Sequence, residues 1–219
     1  MQIVIGDVLS AAEVADARAV LDAARFADGR ATAGWAARRV KDNEQAEGDM
    51  AVDALRETIE ARLHAHALFA LATRPKIILG PMFSRYAAGH AYGAHVDDAM
   101  IDGVRTDVSF TLFLAEPDSY DGGELVIDSA AGEEAVKLPA GSLIAYPSTA
   151  LHRVAPVTRG TRLAAVGWVR SLVRDAHRRE ILFDLETARR RLYDRHGASA
   201  DFDLLSKCAA NLMRLWCED

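Results

Sequence analysis

The 219-residue sequence predicts an α+β protein: a double-sheet jelly roll of about eight mainly antiparallel strands, flanked by N-terminal and C-terminal α-helices. Two observations carry this. Both ends of the chain repeat apolar residues at helical spacing, whereas residues 76–171 change to short β-branched or aromatic runs bounded by Gly, Pro and Asp, the way antiparallel strands are written. Turn signals such as Pro139-Ala140-Gly141 and Gly122-Gly123 then punctuate those runs.

Taken in order, Ser10-Ala11-Ala12-Glu13 is a capping box that opens an amphipathic helix over Val14 to Phe26, with Val14, Ala17, Val20, Leu21 and Ala24 on one stripe. Residues Ala27 to Glu47 hold Gly29, Gly34 and an isolated Trp35; they read as an irregular loop with one short strand near Trp35 to Val40, placed to shape a substrate entrance. A helix from Asp49 to about Leu71 repeats Leu55, Ile59, Leu63 and Ala67, and Pro75 marks its exit. Strands are expected near Ile77 to Tyr86, Ala94 to Asp97, Asp107 to Leu114, Gly123 to Asp128, Glu134 to Lys137, Ser142 to Tyr146, His152 to Val154 and Arg162 to Val169. Beyond Arg174, Ile181, Leu185, Ala188 and Leu192 mark one helix, and Leu204, Cys208, Leu212 and Leu215 another. The division is a helical support region over 1–75, the jelly-roll core over 76–172 and a helical extension over 173–219, all in one structural domain.

Half of the residues are apolar and the net charge is −6, with both signs interspersed, so the electrostatic footprint of a nucleic-acid binder is lacking. The Arg-rich stretch from Arg174 to Arg195 is interleaved with Asp175, Glu180, Asp184, Glu186 and Asp194 and reads as a solvated helix face laced with ion pairs. No apolar run approaches a bilayer span and no leader pattern opens the chain, which points to a cytoplasmic protein without a membrane partner. Cys208 and Cys217 lie on opposite faces of one helix, ~13 Å apart along its axis, and are expected as reduced thiols.

The chemistry is concentrated in His95-Val96-Asp97, His152 and Arg162. On a strand, residues two apart face the same side, so His95 and Asp97 can share a metal while Val96 points away, and the same register turns Asp98 aside. With His152 returning from a distant strand, the set becomes two imidazoles and one carboxylate on one face of an octahedral ion, which suits Fe(II) and leaves three positions open. Arg162 follows the Thr158–Gly160 turn, and its planar fork can hold the far carboxylate of a dicarboxylate such as 2-oxoglutarate, whose other end would chelate the iron. Both imidazoles bind metal only when neutral, so with the reference histidine value the metal should be lost below about pH 6.

The segments Arg85-Tyr86-Ala87-Ala88-Gly89-His90-Ala91-Tyr92-Gly93-Ala94-His95-Val96-Asp97, Asp121-Gly122-Gly123-Glu124-Leu125, Leu138-Pro139-Ala140-Gly141 and Tyr146-Pro147-Ser148 together resemble the bacterial PKHD-type hydroxylases, in the prolyl 4-hydroxylase-like branch of the Fe(II)/2-oxoglutarate dioxygenases. The resemblance runs from about Asp42 to Trp216 and is densest between Arg85 and Gly167. It implies a double-stranded β-helix, His95, Asp97 and His152 as iron ligands, Arg162 as the 2-oxoglutarate anchor, and Tyr86 in the co-substrate or substrate pocket, with a packing aromatic as the other reading for Tyr86 and Tyr92. It also implies hydroxylation of an unactivated C–H bond, on a prolyl or lysyl side chain or a small molecule, with O2 consumed, succinate and CO2 released, and L-ascorbate keeping the metal reduced. A non-catalytic iron/2-oxoglutarate sensor, a cupin-like metalloenzyme, which would have no use for Arg162, and a metal-free jelly roll stay open, as does a homo-oligomer. Of the other histidines, His64 and His66 point apart on a helix, His90 reads as a solvated loop residue, and His177 and His196 fall in charged helices.

Overall fold

The computed structural model describes residues 1–218. Strand β1 (Ile3–Ile5) precedes helix α1 (Ala11–Ala23); β2 (Phe26–Asp28), β3 (Lys41–Asp42) and β4 (Glu44–Ala46) follow, then α2 (Met50–Ala65) and α3 (Ala67–Thr73). The central region supplies β5 (Pro75–Ala87), β6 (Ala91–His95), β7 (Met100–Ile101), β8 (Val104–Arg105), β9 (Val108–Phe113), β10 (Asp121–Gly122), β11 (Leu125–Ser129), β12 (Gly132–Val136), β13 (Leu143–Pro147), β14 (His152–Val154), β15 (Val157–Arg159) and β16 (Thr161–Ser171). Helices α4 (Ala176–His196) and α5 (Ala200–Trp216) come last. A seven-stranded sheet, β1-β13-β9-β16-β5-β4-β2, faces a five-stranded sheet, β12-β11-β14-β6-β3, and the pairings are antiparallel.

The two-residue period of a strand decides what each face of the large sheet touches. On β9, Phe110 and Leu112 face the helices, where they meet Leu21 of α1, Ile59 and Leu63 of α2 and Phe69 of α3. Phe69 meets Phe110 edge to face at 5.8 Å, the arrangement ring quadrupoles favour. The opposite face of β9 carries Ser109, Thr111 and Phe113 toward the second sheet, where Phe113 packs with Leu125, Ile127, Ile144 and Tyr146. Alternation on β5 and β16 likewise sends Phe83, Leu163 and Ala165 to the helices, and Ser84, Tyr86, Arg162 and Val166 into the space between the sheets.

Several expected boundaries move, each for a local reason. The capping box of Ser10 and Glu13 is formed, but α1 ends at Ala23, and Phe26 instead pairs with Ala46 in β2 under the Arg85 guanidinium, 3.8 Å from its ring. The segment expected as one helix to Leu71 is two, because His66 leaves the helical region and its ring nitrogen accepts from the Phe69 amide, capping a second start. No strand forms over Trp35 to Val40; that stretch is a turn leading into a short 3-10 segment, and the strands of the region are β2, β3 and β4. In α4 the inward residues are Arg179 and Leu182, whereas Ile181 is 49% exposed, so the expected stripe is displaced. Cys208 and Cys217 are exposed free thiols. Among the described residues no helix is long and apolar enough to cross a membrane.

Candidate metal centre

His95 is the last residue of β6, and His152, the first of β14, is paired directly opposite it. Opposed residues of an antiparallel pair bring their side chains together on one face; the two rings stand 4.3 Å apart. Asp97 lies two positions past His95 but beyond the strand, which ends at His95 rather than at Asp97 as expected. It still reaches the site: its Oδ1 is 3.9 Å from Nε2 of both histidines, and one ligand atom from each of the three lies within 4.8 Å of the others. Asp98 is exposed, lies at the cavity rim and is not a member of this group.

Each of the three is held from behind. Nδ1 of His95 is 2.8 Å from the Gly93 carbonyl and Nδ1 of His152 is 3.0 Å from that of Ala150. A carbonyl only accepts, so each Nδ1 donates to it and each Nε2 is the ring nitrogen left facing Asp97. The Ser109 hydroxyl donates to Asp97 Oδ2 at 2.5 Å and shares a 2.9 Å hydrogen bond with Ser148. Tyr92 stacks on His95 at 3.6 Å, and Tyr146 meets His152 edge-on at 5.1 Å. Neutral imidazoles with fixed tautomers and an oriented carboxylate are the donor set a first-row divalent metal needs. Ser109→Ala is expected to lower metal affinity about 10–100-fold while leaving all three candidate ligands in place, checked by competition against a coloured chelator.

Burial, then the adjoining His152, pushes the His95 imidazole down to about 4. The ordinary histidine value near 6.5 applies to the unfolded chain, so this group contributes stability that is full above that value and is lost as pH falls toward 4. His95 is therefore already neutral, and protons compete with a metal for it only in more acid solution than the sequence suggested. In metal-free protein its ring resonances should titrate near pH 4; a midpoint at the reference value near 6.5 would contradict the buried geometry.

The same cavity, of about 440 Å³, is lined by His95, Asp97, His152, Tyr86 and Arg162. Arg162 sits on β16 paired with Tyr86, is 1% exposed, and has its guanidinium carbon 5.1 Å from the Tyr86 ring and 5.4 Å from that of Phe113. Its Nε and Nη1 have no hydrogen-bond partner, and among the described residues no carboxylate pairs with it. A buried cation left this way is costly unless an anion joins it. Gly123, at φ +68, lies against its stem: a Cβ there would stand 3.2 Å from Arg162 Cδ and 2.9 Å from the Val157 side chain. Burial raises the Tyr86 phenol, opposed by the nearby Arg162 charge, so Tyr86 stands as a neutral hydroxyl in the cavity.

His90 does not join the site; its Nδ1 accepts from the Ala87 amide within a turn. Sequence reasoning missed Ser109 and Ser148, which supply the support behind Asp97, and the buried polar row Lys41, Asn43 and Gln45 on the cavity wall. The signal for the row was a period of two, hidden because the intervening Asp42 and Glu44 are polar as well.

Comparison with known proteins agrees with this arrangement. Residues 81–170 match the family model of the 2OG-Fe(II) oxygenase superfamily. The chain is 56% identical to a PKHD-type hydroxylase of Picosynechococcus sp., over 90% of this chain and 91% of the relative, and 52% identical to one of Acaryochloris marina over the full length of both. Among solved structures, a Pseudomonas putida prolyl-4-hydroxylase superposes with a TM-score of 0.57 at 25% identity, covering 78% of this chain and 92% of that one. HygX from Streptomyces hygroscopicus, solved with nickel and 2-oxoglutarate bound, shares the fold with a TM-score of 0.54 at 15% identity, covering 78% and 84%. With near-complete coverage at that identity, the chain belongs to the PKHD-type hydroxylases of the 2OG-Fe(II) oxygenase superfamily and is a 2-oxoglutarate-dependent dioxygenase.

Proposed function

We propose that His95, Asp97 and His152 hold Fe(II), that Arg162 takes the far carboxylate of 2-oxoglutarate beside the Tyr86 hydroxyl, and that the enzyme hydroxylates an unactivated C–H bond of a prolyl or lysyl side chain or of a small molecule. The observation that carries this reading is the unpartnered Arg162 guanidinium, buried in the cavity that the three metal-ligand candidates share. When bound, iron and 2-oxoglutarate supply the oxidising chemistry, releasing succinate and CO2 as one oxygen atom enters the substrate.

The side chains of this chain position and protect. The Gly93 and Ala150 carbonyls hold the Nδ1 protons and so keep both Nε2 atoms available to the metal. Ser109 fixes one oxygen of Asp97 and leaves the other turned toward the histidines. Arg162, buried and unpartnered at Nε and Nη1, would hold the far carboxylate of 2-oxoglutarate through charge-assisted hydrogen bonds. Tyr92 and Tyr146 cover the imidazoles and exclude water from them. L-ascorbate as reductant and a cytoplasmic setting belong to the same reading, the latter supported by the two exposed free thiols. The division into a support region over 1–75, a core over 76–172 and an extension over 173–219 is kept within it as a single domain, with strands β1 to β4 of the first region joining the core sheets.

The deciding experiment follows 2-oxoglutarate turnover by succinate release while free amino acids, peptides and small metabolites are screened for stimulation. Stimulated succinate together with a product heavier by one oxygen is the expected result. Binding of iron and 2-oxoglutarate with no stimulation by any substrate would instead describe a sensor.

A further inference from the structure

Lys41 is 6% exposed and lines the cavity from β3, the edge strand of the smaller sheet. Its ammonium has three donors, of which the structure uses one, a 3.1 Å bond to Thr32 Oγ1. The same nitrogen lies 5.2 Å from the centre of the Tyr92 ring, which in turn stacks on His95. Among the described residues no carboxylate stands within ion-pair distance of it, and the cavity-lining Asp98 and Asp102 are exposed at the mouth. Lining the same cavity from β4 of the larger sheet, Gln45 accepts from Thr32 at 2.6 Å and directs its own amide nitrogen only toward the Met82 sulfur at 4.0 Å. Asn43, between them, lies beside the Tyr86 hydroxyl and is covered by Gly29, where an added Cβ would meet the Asn43 oxygen at 2.0 Å.

Burying this row costs free energy in the free protein, because an ammonium and amides removed from water need partners. Charge shows which partner Lys41 lacks. Taking the reading above, on which this inference rests, Fe(II), ionised Asp97, the 2-oxoglutarate dianion and Arg162 together are neutral, so among the buried groups of the filled cavity Lys41 is the positive charge left over, while Asp98 and Asp102 stand in solvent at the mouth. Arg162 and the metal use both ends of the co-substrate, which leaves nothing on it for a second cation. We propose that Lys41 is a specificity-determining residue that binds an anionic group, a carboxylate, of the primary substrate, with Thr32 and Gln45 beside it to complete the hydrogen bonding. Burial lowers the Lys41 ammonium to about 8, so it remains largely charged at neutral pH. A cavity of about 440 Å³ that must also hold 2-oxoglutarate admits an insert of about amino-acid size. The carboxylate is therefore that of a small amino or hydroxy acid, or the terminal carboxylate of a short peptide.

The test uses full-length protein loaded anaerobically with Fe(II) and 2-oxoglutarate and titrated calorimetrically. The probes are L-proline and L-lysine, their carboxamides, and N-acetylated tripeptides ending in either residue with a free or amidated C-terminus. Wild type is expected to bind at least one carboxylate probe tenfold or more tightly than its amide, and whether that probe is the amino acid or the peptide names the source. Lys41→Met should erase the acid-over-amide preference, Lys41→Arg should keep most of it, and both should bind 2-oxoglutarate as wild type does. Equal binding of every probe by wild type and Lys41→Met overturns the assignment. So does a fall in 2-oxoglutarate affinity in Lys41→Met to the level of Arg162→Ala, since Lys41 would then serve the co-substrate. Failure of the underlying reading is separate and visible earlier, as loss of 2-oxoglutarate binding in the wild type itself.

Discussion

Arg162→Ala is expected to raise the 2-oxoglutarate concentration needed for half-saturation by about a hundredfold or more while leaving Fe(II) affinity unchanged. The guanidinium is 1% exposed and has no partner of its own, so a bound carboxylate is the group that would relieve its burial. Losing one buried charge-assisted pair costs about 3 kcal/mol, and each 1.4 kcal/mol is about tenfold in affinity. Arg162→Lys should fall between, because the charge survives and the two-pronged geometry does not. The measurement is calorimetric titration of anaerobic Fe(II)-loaded protein with 2-oxoglutarate. Arg162→Met adds a contrast in the ligand-free protein: an apolar side chain in place of an unpaired buried cation should hold or raise the melting temperature while co-substrate affinity collapses. Unchanged affinity in Arg162→Ala would remove the main support for an oxygenase site at this cavity and favour a generic cupin-like metal centre.

The second large effect is at the metal. His95→Ala and Asp97→Ala should each abolish turnover and lower Fe(II) affinity steeply, since on the proposed assignment three side chains would supply the protein contribution and the remaining two could not hold one face of an octahedral ion. Asp98→Ala should be mild, because that carboxylate is exposed at the rim. Metal content after gel filtration, measured beside succinate release, checks both. If Asp98→Ala lost the metal while Asp97→Ala kept it, the assignment of the carboxylate ligand would be wrong.

Local chemistry was readable because it is written in short spacings. Ser10 and Glu13 sit three apart and form the capping box, and a clear strand texture marks β5, β9, β13 and β16 to within a few residues. His95, Asp97 and Arg162 stand in one order that few other sites would explain. The short strands β1 to β4 and the break at His66 were not readable: two- and three-residue strands carry no period, and a histidine cap depends on where its ring is turned. The expected extension of β6 through Asp97 failed for a related reason. Strand ends are set by where the neighbouring β14 stops pairing, which the chain around Asp97 does not record.

By itself, then, the sequence determined the residue types and most of the faces they occupy: two imidazoles and a guanidinium on strands of a double sheet, a carboxylate just past the end of one of them, and helices behind. The physical reason is that alternation and capping are local properties, fixed by bond geometry within a few residues. Only the tertiary structure decided the rest. Pairing His152 opposite His95 brought the rings together, Ser109 came from β9 to hold Asp97, and burial moved the His95 imidazole down to about 4. The same packing left Arg162 and Lys41 as separate cations on the walls of one cavity. Desolvation and the absence of a partner are sums over neighbours from every part of the chain, so they come into being only when the sheets close over the site.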